Sequence, residues 1–361
     1  MSGSTKSSPE GRLWGVILAG GIGSRFWPAS TPKRPKQLLH LASDQPLISE
    51  TVDRVEPLIP TERLRILTGA HLAGPIGGAL PAFGEANFFL EPRAAGTAPA
   101  LVWAAALIER IDPDAVMVSL HADHVIDPPA TFRAQLLRAA ELAEEHGRLF
   151  TLGAVPDRPE TGYGYIRRGP PLPSAAASPE TGYEVERFVE KPDTKTAAEY
   201  LASGEYLWNT GIFIWRVRDL LDQIERHTPE IAGLIPRLRR GDTAGFFERV
   251  PTLSIDEGLL ERSDRVGVLP TRFRWDDIGA WDALYRTHAL DDRGNAVIGE
   301  GFAVESNGCV LYADGGPIVA FGVEDLVIVR TGGVTFVTHR ERAAELKALH
   351  AHLPEKLKKL E

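Results

Sequence analysis

The sequence predicts an α/β protein: a Rossmann-like, mainly parallel sheet flanked by helices, followed by a small C-terminal β appendage. Three observations predict it. Short apolar runs of strand length alternate with longer segments of helical spacing as far as about residue 155. These runs are apolar at successive positions, as strands covered on both faces require. From about residue 295, β-type runs separated by Gly and Asp turns take over.

Residues 1–12 are small and polar, lack the apolar stretch of a signal peptide and read as a flexible leader. The first strand is Leu13–Leu18, with further strand runs at 64–68, 87–90, 115–120 and 148–152. Helical spacing covers 47–58, 98–111 and 129–146. Beyond residue 155, 163–167 and 185–189 read as strands with no helix between them, separated by a Pro/Ala/Ser-rich loop at 169–178. The pentapeptide Pro-Glu-Thr-Gly-Tyr occurs at 159–163 and 179–183, but nothing around it repeats, so it reads as turn chemistry. Helical patterns return at 196–202, 219–226 and 254–262. The β runs 310–312, 318–321, 326–330 and 334–338 and a charged helix over 340–360 close the chain. The expected division is a main domain over 13–290 and a small β-rich domain over 291–361, too short for a second catalytic domain.

Lys and Arg number 40 against 49 Asp and Glu, a net charge of −9, so nucleic acid is not an expected partner. Phosphate would have to be held by a local cluster of basic side chains and backbone N–H groups. The single cysteine, Cys309, forms neither an internal disulfide nor a Cys-based zinc site and fits a reducing, cytoplasmic setting. No apolar run approaches the roughly 18–20 residues that span a bilayer, so no membrane association is expected.

The cluster follows the first strand. Leu18-Ala19-Gly20-Gly21-Ile22-Gly23-Ser24-Arg25 is a glycine-rich turn whose backbone can approach an anion closely. Its spacing is neither that of a dinucleotide fingerprint nor that of a P-loop, and a plain tight strand–helix turn is the alternative. Arg25, Lys33, Arg34 and Lys36 follow, the last three in the stretch Thr31-Pro32-Lys33-Arg34-Pro35-Lys36-Gln37, whose two prolines forbid a helix. A stiff basic loop after a glycine turn suits a triphosphate.

Two aspartates stand out. Asp123, in His121-Ala122-Asp123-His124, ends a central strand, where open α/β sheets bind ligands. A helix cap is the plain alternative. A zinc site on His121, Asp123 and His124 is disfavoured because neighbours on an extended chain point apart and no third His is suitably placed. Asp276-Asp277-Ile278-Gly279 could likewise be a simple N-cap.

The run from Leu18 to Leu39 closely resembles the sugar nucleotidyltransferases: a glycine-rich loop, then Arg, then Pro-Lys-Gln. Phe26-Trp27-Pro28 and Pro35-Lys36-Gln37 resemble its mannose-1-phosphate guanylyltransferase branch. The resemblance covers roughly residues 13–350, leaves no room for the phosphomannose isomerase domain of longer relatives, and implies the nucleotide-diphospho-sugar transferase fold. It implies that a guanylyl group passes from GTP to mannose 1-phosphate with Mg²⁺, or Mn²⁺, on Asp123 and Asp277. Asp276 competes with Asp277 for that role. The catalytic residues implied are Arg25, Lys36, Asp123, Lys191 and Asp277. The nucleotide would lie against Leu18, Ala19, Gly20, Gly21, Gly23, Ser24, Arg25, Lys36, Glu91, Thr97, Ala98 and Asp123. Three motifs in the second half, around Gly164, Glu190-Lys191 and Asn209-Thr210-Gly211, match the hexose-binding strands in order and imply that Gly164, Glu190, Lys191, Asn209 and Gly211 hold the sugar. Two departures occur. His121 replaces a Pro of the family pattern, and Ala95-Gly96 replaces an Arg-Asn pair on the nucleotide side, which weakens the inference about the base. A homodimer is compatible with the resemblance. Another nucleotide with another hexose 1-phosphate, or a sugar-nucleotide sensor on the same fold, are the rival readings; retention of Lys36 and both aspartates favours an enzyme.

Overall fold

The computed structural model describes residues 8–21, 23–173 and 180–358. Positions 1–7 of the leader, Ile22, positions 174–178 of the Pro/Ala/Ser-rich loop, Pro179 of the second pentapeptide and 359–361 lie outside the described residues.

The first half of the chain alternates as expected. β1 (Leu13–Leu18), β2 (Leu64–Gly69), β3 (Phe88–Glu91) and β4 (Val116–His121) lie in the order β3-β2-β1-β4, all parallel. β1, β2 and β4 are buried along almost their whole length, which explains their unbroken apolar character. The short β5 (Val125–Asp127) leaves the sheet. The second half adds β6 (Leu149–Ala154), β7 (Tyr165–Pro171), β8 (Tyr183–Val189), β9 (Tyr206–Arg216) and β10 (Val266–Pro270), completing the nine-stranded order β3-β2-β1-β4-β9-β6-β10-β8-β7. Here β9 runs antiparallel to both β4 and β6, so the sheet is parallel on one side and mixed on the other. The long β9 carries Asn209 and Gly211 beside the C-terminal end of β4.

A two-stranded ribbon sets the site. β11 (Arg274–Asp276) pairs antiparallel with β5, with Asp276 opposite Val125. Asp277 follows β11 and Asp123 lies two positions before β5, so this pairing brings together carboxylates 154 residues apart (277 − 123).

Helices Thr97–Glu109 and Pro129–His146 cover the sheet, ending within two residues of the expected bounds. The helix Ala70–Ala79 was not expected. Its glycines and Pro75 are poor helix formers, and it is held by the burial of Leu72 and Ile76. The expected leader ends early: Pro9–Arg12 forms a short helical turn with Pro9 buried, and Arg12 pairs with Glu144 at 2.9 Å. The helix expected over 254–262 is a single π-type turn at Asp256–Leu260.

β12 (Ala296–Val304), β13 (Val310–Phe321), β14 (Leu326–Thr331) and β15 (Val334–His339) form a separate sheet, parallel except for its last pair. The expected runs 310–312 and 318–321 are one strand, continuous through Gly315 and Gly316. The helix expected over 340–360 is interrupted: Leu346–His352 ends before Pro354, whose ring disfavours helical geometry in the preceding residue. This sheet shares a core with the basic loop. Phe26, Trp27 and Leu39 pack with Trp281, Tyr312, Val327 and Val329, and the Trp281 indole N–H donates to the Trp27 carbonyl at 3.0 Å. None of the described helices is long and apolar enough to cross a membrane.

Candidate active site

A cleft of about 570 Å³ opens at the C-terminal ends of β1 and β4. It is lined by Leu18–Gly21 and Gly23–Phe26 of the turn, by Lys36, Glu91, Thr97, His121, Asp123 and Asp277, among others. The Ala19 carbonyl is tied down by Gln37 Nε2 (3.0 Å) and Thr68 Oγ1 (2.8 Å), which braces the glycine turn. Gly23 has φ +74°, and a Cβ there would stand 2.3 Å from the Lys36 Cβ. Only glycine lets the Lys36 stem pass under the turn.

Lys36 is the hub. Buried to 7% exposure, its ammonium donates to Asp123 Oδ2 at 2.8 Å and to the Asp277 backbone carbonyl at 2.7 Å, with the Phe26 ring 5.5 Å away. Burial is the largest influence on Asp123 and works against its ionisation, but Lys36, through its charge and its hydrogen bond and with smaller help from His124 and His121, holds the carboxyl down at about 2. Asp277 is pushed up by burial, with Lys36 and a 2.6 Å hydrogen bond from the Tyr163 hydroxyl pulling the other way. Two carboxylates facing one ammonium leave negative charge to be met, and hard oxygen donors of this kind suit a divalent cation.

The neighbouring carboxylate is differently engaged. Asp276 accepts the Ile278 N–H at 2.8 Å and pairs with Arg286 Nε at 3.0 Å, on the far side of the ribbon. Alternation along β11 turns Asp276 away from the cleft that Asp277 lines.

The ligand atoms of His121, Asp123 and His124 converge within 4.8 Å, although neighbours on an extended chain were expected to point apart. The chain bends between β4 and β5, and the two rings stack at 4.5 Å. They still do not make a zinc triad. The Trp275 indole N–H donates to His124 Nδ1 at 3.1 Å, and burial holds His124 well below its ordinary range. The neutral ring therefore carries its proton on Nε2 and offers no free lone pair.

On the nucleotide side, Glu91 borders Gly20 and has no hydrogen-bond partner among the described residues; burial pushes it up to about 7. Ala98 does not line the cleft. It is fully buried in its helix, with its N–H on the Leu253 carbonyl at 3.1 Å. The Ala95-Gly96 departure has a structural role: Leu253 donates to the Ala95 carbonyl at 3.0 Å. Gly96 sits at φ +85°, ψ 172°, where a Cβ would meet the Leu253 oxygen at 2.3 Å. Gly96→Ala is expected to cost about 1–3 kcal/mol of stability, read as a lowered Tm by calorimetry; an unchanged Tm would mean that Leu253 yields freely.

The sugar-side residues form a second cluster against the cleft. A Cβ on Gly211 would stand 2.6 Å from His121 Nε2, and one on Gly164 would stand 2.6 Å from Glu190 Oε2 and 3.4 Å from the Asn209 Cβ. Glu190 pairs with Lys191, whose φ of 45° is unusual for a non-glycine residue. Asn209 is not free to bind a sugar through its oxygen, which accepts from Thr151 Oγ1 (3.1 Å) and the Gly211 N–H (3.2 Å). Arg25, in the cleft lining, donates to the Gly279 carbonyl at 3.3 Å. Tyr163, Trp275 and Asp256 were missed in the sequence. Tyr163 and Trp275 directly precede Gly164 and Asp276 in sequence but gain their roles only through tertiary contacts.

The family described as Nucleotidyl transferase matches residues 14–293, and one described as MannoseP isomerase/GMP-like beta-helix domain matches 299–353. The chain is 36% identical over 343 residues to the mannose-1-phosphate guanylyltransferase of Klebsiella pneumoniae, covering 92% of this chain and 72% of that protein. It is 36% identical over 357 residues to the one from Escherichia coli K12, covering 94% and 73%. The crystal structure of mannose-1-phosphate geranyltransferase from Thermus thermophilus matches with a TM-score of 0.85 at 34% identity, covering 94% of this chain and 99% of that one.

Proposed function

Because the chain belongs to the nucleotidyl transferase family, within its mannose-1-phosphate guanylyltransferase branch, we propose that it transfers a guanylyl group from GTP to α-D-mannose 1-phosphate, releasing pyrophosphate. The observation that carries this reading is the meeting of Lys36, Asp123 and Asp277 beneath the glycine turn.

A sugar phosphate oxygen attacks the α-phosphorus of GTP, and the bond to pyrophosphate breaks in line. The nucleophile is already ionised, so positioning and charge neutralisation carry most of the catalysis. Lys36 and Arg25 meet the charge that grows on the leaving pyrophosphate, and the N–H groups of the glycine turn hold the triphosphate. Lys191 receives the sugar phosphate. A divalent cation held by Asp123 and Asp277, Mg²⁺ in this reading, would neutralise the phosphates of both substrates. The division at residue 290 and a cytoplasmic location belong to the same proposal, the latter supported by the single buried cysteine, Cys309.

Choice of base falls to Glu91. Guanine alone presents two adjacent N–H donors on its Watson–Crick edge, and a carboxylate accepts both. Glu91→Gln is expected to lower kcat/KM for GTP by about 10–100-fold, since hydrogen bonds to a charged group are the strong ones. In the wild type, KM for GTP should fall as pH rises through about 7, where Glu91 ionises, and this trend should vanish in the variant. The assay is pyrophosphate release with GTP, ATP, dTTP and UTP at fixed mannose 1-phosphate. Preference for dTTP or UTP would overturn the guanylyl reading and leave nucleotidyl transfer standing.

A further inference from the structure

Asp256 opens the π-type turn that follows Leu253, and no motif singled it out. Its place is fixed by its neighbours. Leu253 is hydrogen-bonded through N–H and carbonyl to Ala95 and Ala98, and the Ile255 N–H donates to Thr97 Oγ1 at 2.8 Å. The strap that touches the nucleotide-side segment therefore delivers Asp256 to the sugar-side cluster. There its Oδ1 accepts the Asn209 side-chain N–H at 2.9 Å. Among the described residues, Asn209 is the one side chain hydrogen-bonded to this carboxylate, whose other contact is with its own backbone N–H.

The Asn209 oxygen is saturated by Thr151 and Gly211, so this amide offers a sugar at most one remaining N–H. Asp256 is different. It is largely buried, and burial together with the nearby Glu190 pushes it up to about 6. Two neighbouring carboxylates share one ammonium, that of Lys191, which is itself bonded to Glu190. Carboxylates only accept hydrogen bonds, and a partly buried pair of them is costly unless donors arrive. A hexose brings several hydroxyl donors. Gly164, where a Cβ would collide with Glu190, leaves the backbone open to a ligand on the same face.

We propose that Asp256 is a specificity-determining residue of the sugar site, accepting a hydrogen bond from one hexose hydroxyl through Oδ2, and that Asn209 is its positioning residue. This rests on the reading that Gly164, Glu190 and Asn209 mark the sugar site, and it moves the selective contact from Asn209 to Asp256.

The test is Asp256→Asn in the full chain, which keeps an oxygen for the Asn209 donor and nearly the same shape. Kinetics are measured with α-D-mannose 1-phosphate and its 2-, 3-, 4- and 6-deoxy analogues, varying GTP separately. KM for the sugar phosphate should rise by about tenfold or more while KM for GTP stays within about twofold. One deoxy analogue should cost the wild type about tenfold in kcat/KM but cost the variant less than about threefold. A purely structural role would move both KM values together and leave the deoxy penalties intact; either result overturns the proposal. Should the Asn variant fail to fold, Asp256→Ala must flatten the same panel. Should the wild type refuse mannose 1-phosphate and accept another hexose 1-phosphate, the mannose reading fails. The deoxy panel of the accepted sugar then decides on Asp256: a penalty abolished in the variant supports it, and a penalty retained sinks it.

Discussion

Lys36→Ala is expected to lower kcat by about two orders of magnitude or more while the chain stays folded. A preorganised donor aimed at charge that develops in the transition state, in a site shielded from water, is worth roughly 3 kcal/mol, and each 1.36 kcal/mol is about a factor of ten in rate. Lys36 meets those conditions. Its ammonium is fixed by Asp123 and the Asp277 carbonyl, its stem runs beneath Gly23, and Phe26 closes one side. Lys36→Met separates charge from packing, because the thioether stem fills the same channel. If charge is what matters, Met should be as inactive as Ala but closer to wild type in Tm. The substitution should also release Asp123: with the ammonium gone, burial is unopposed by its main counterweight and the carboxyl rises from about 2. The residual activity should then fall further as pH is lowered. Pyrophosphate release in single-turnover experiments reads the chemical step directly. Wild-type turnover in a folded variant would remove Lys36 from the mechanism.

What the sequence made legible and what it hid divide along physical lines. The glycine turn, Arg25 and Lys36 lie within one short stretch whose chemistry is local: prolines that block a helix, glycines that admit an anion, and charges placed between them. The parallel half of the sheet was equally visible, because β1, β2 and β4 are buried on both faces and read as continuous apolar runs. The mixed half was not, because the antiparallel insertion of β9 between β4 and β6 leaves no mark on β9 itself. Asp256 shows the same limit. In sequence, Ser254-Ile255-Asp256-Glu257 is an ordinary helix start. Only the strap from Leu253 to Ala95 and the bond to Asn209 give the carboxylate a role. His124 could be read as a metal ligand until Trp275, 151 residues away, fixed its tautomer.

The adjacent Asp276 and Asp277 are indistinguishable by composition, and the second large effect separates them. Asp277→Asn is expected to raise the divalent-metal concentration needed for half-maximal activity by about a hundredfold or more, since loss of even an outer-shell partner is worth roughly 10–100-fold. The variant should keep its fold, because the Asn oxygen can still accept the Tyr163 hydroxyl and the Lys36 bond is to the backbone. Asp123→Asn should show the same metal phenotype with a further loss, because Lys36 loses its charged partner. Asp276→Asn should behave in the opposite way. One oxygen remains for the Ile278 N–H, but the ion pair with Arg286 is lost, so Tm falls while the metal requirement stays near wild type. The measurements are activity titrations with Mg²⁺ and Mn²⁺ after EDTA treatment, alongside thermal unfolding of each variant. A crippled metal dependence in Asp276→Asn with a mild one in Asp277→Asn would mean that the ribbon presents the other carboxylate to the cleft. Activity that survives EDTA in the wild type would remove the cation from both.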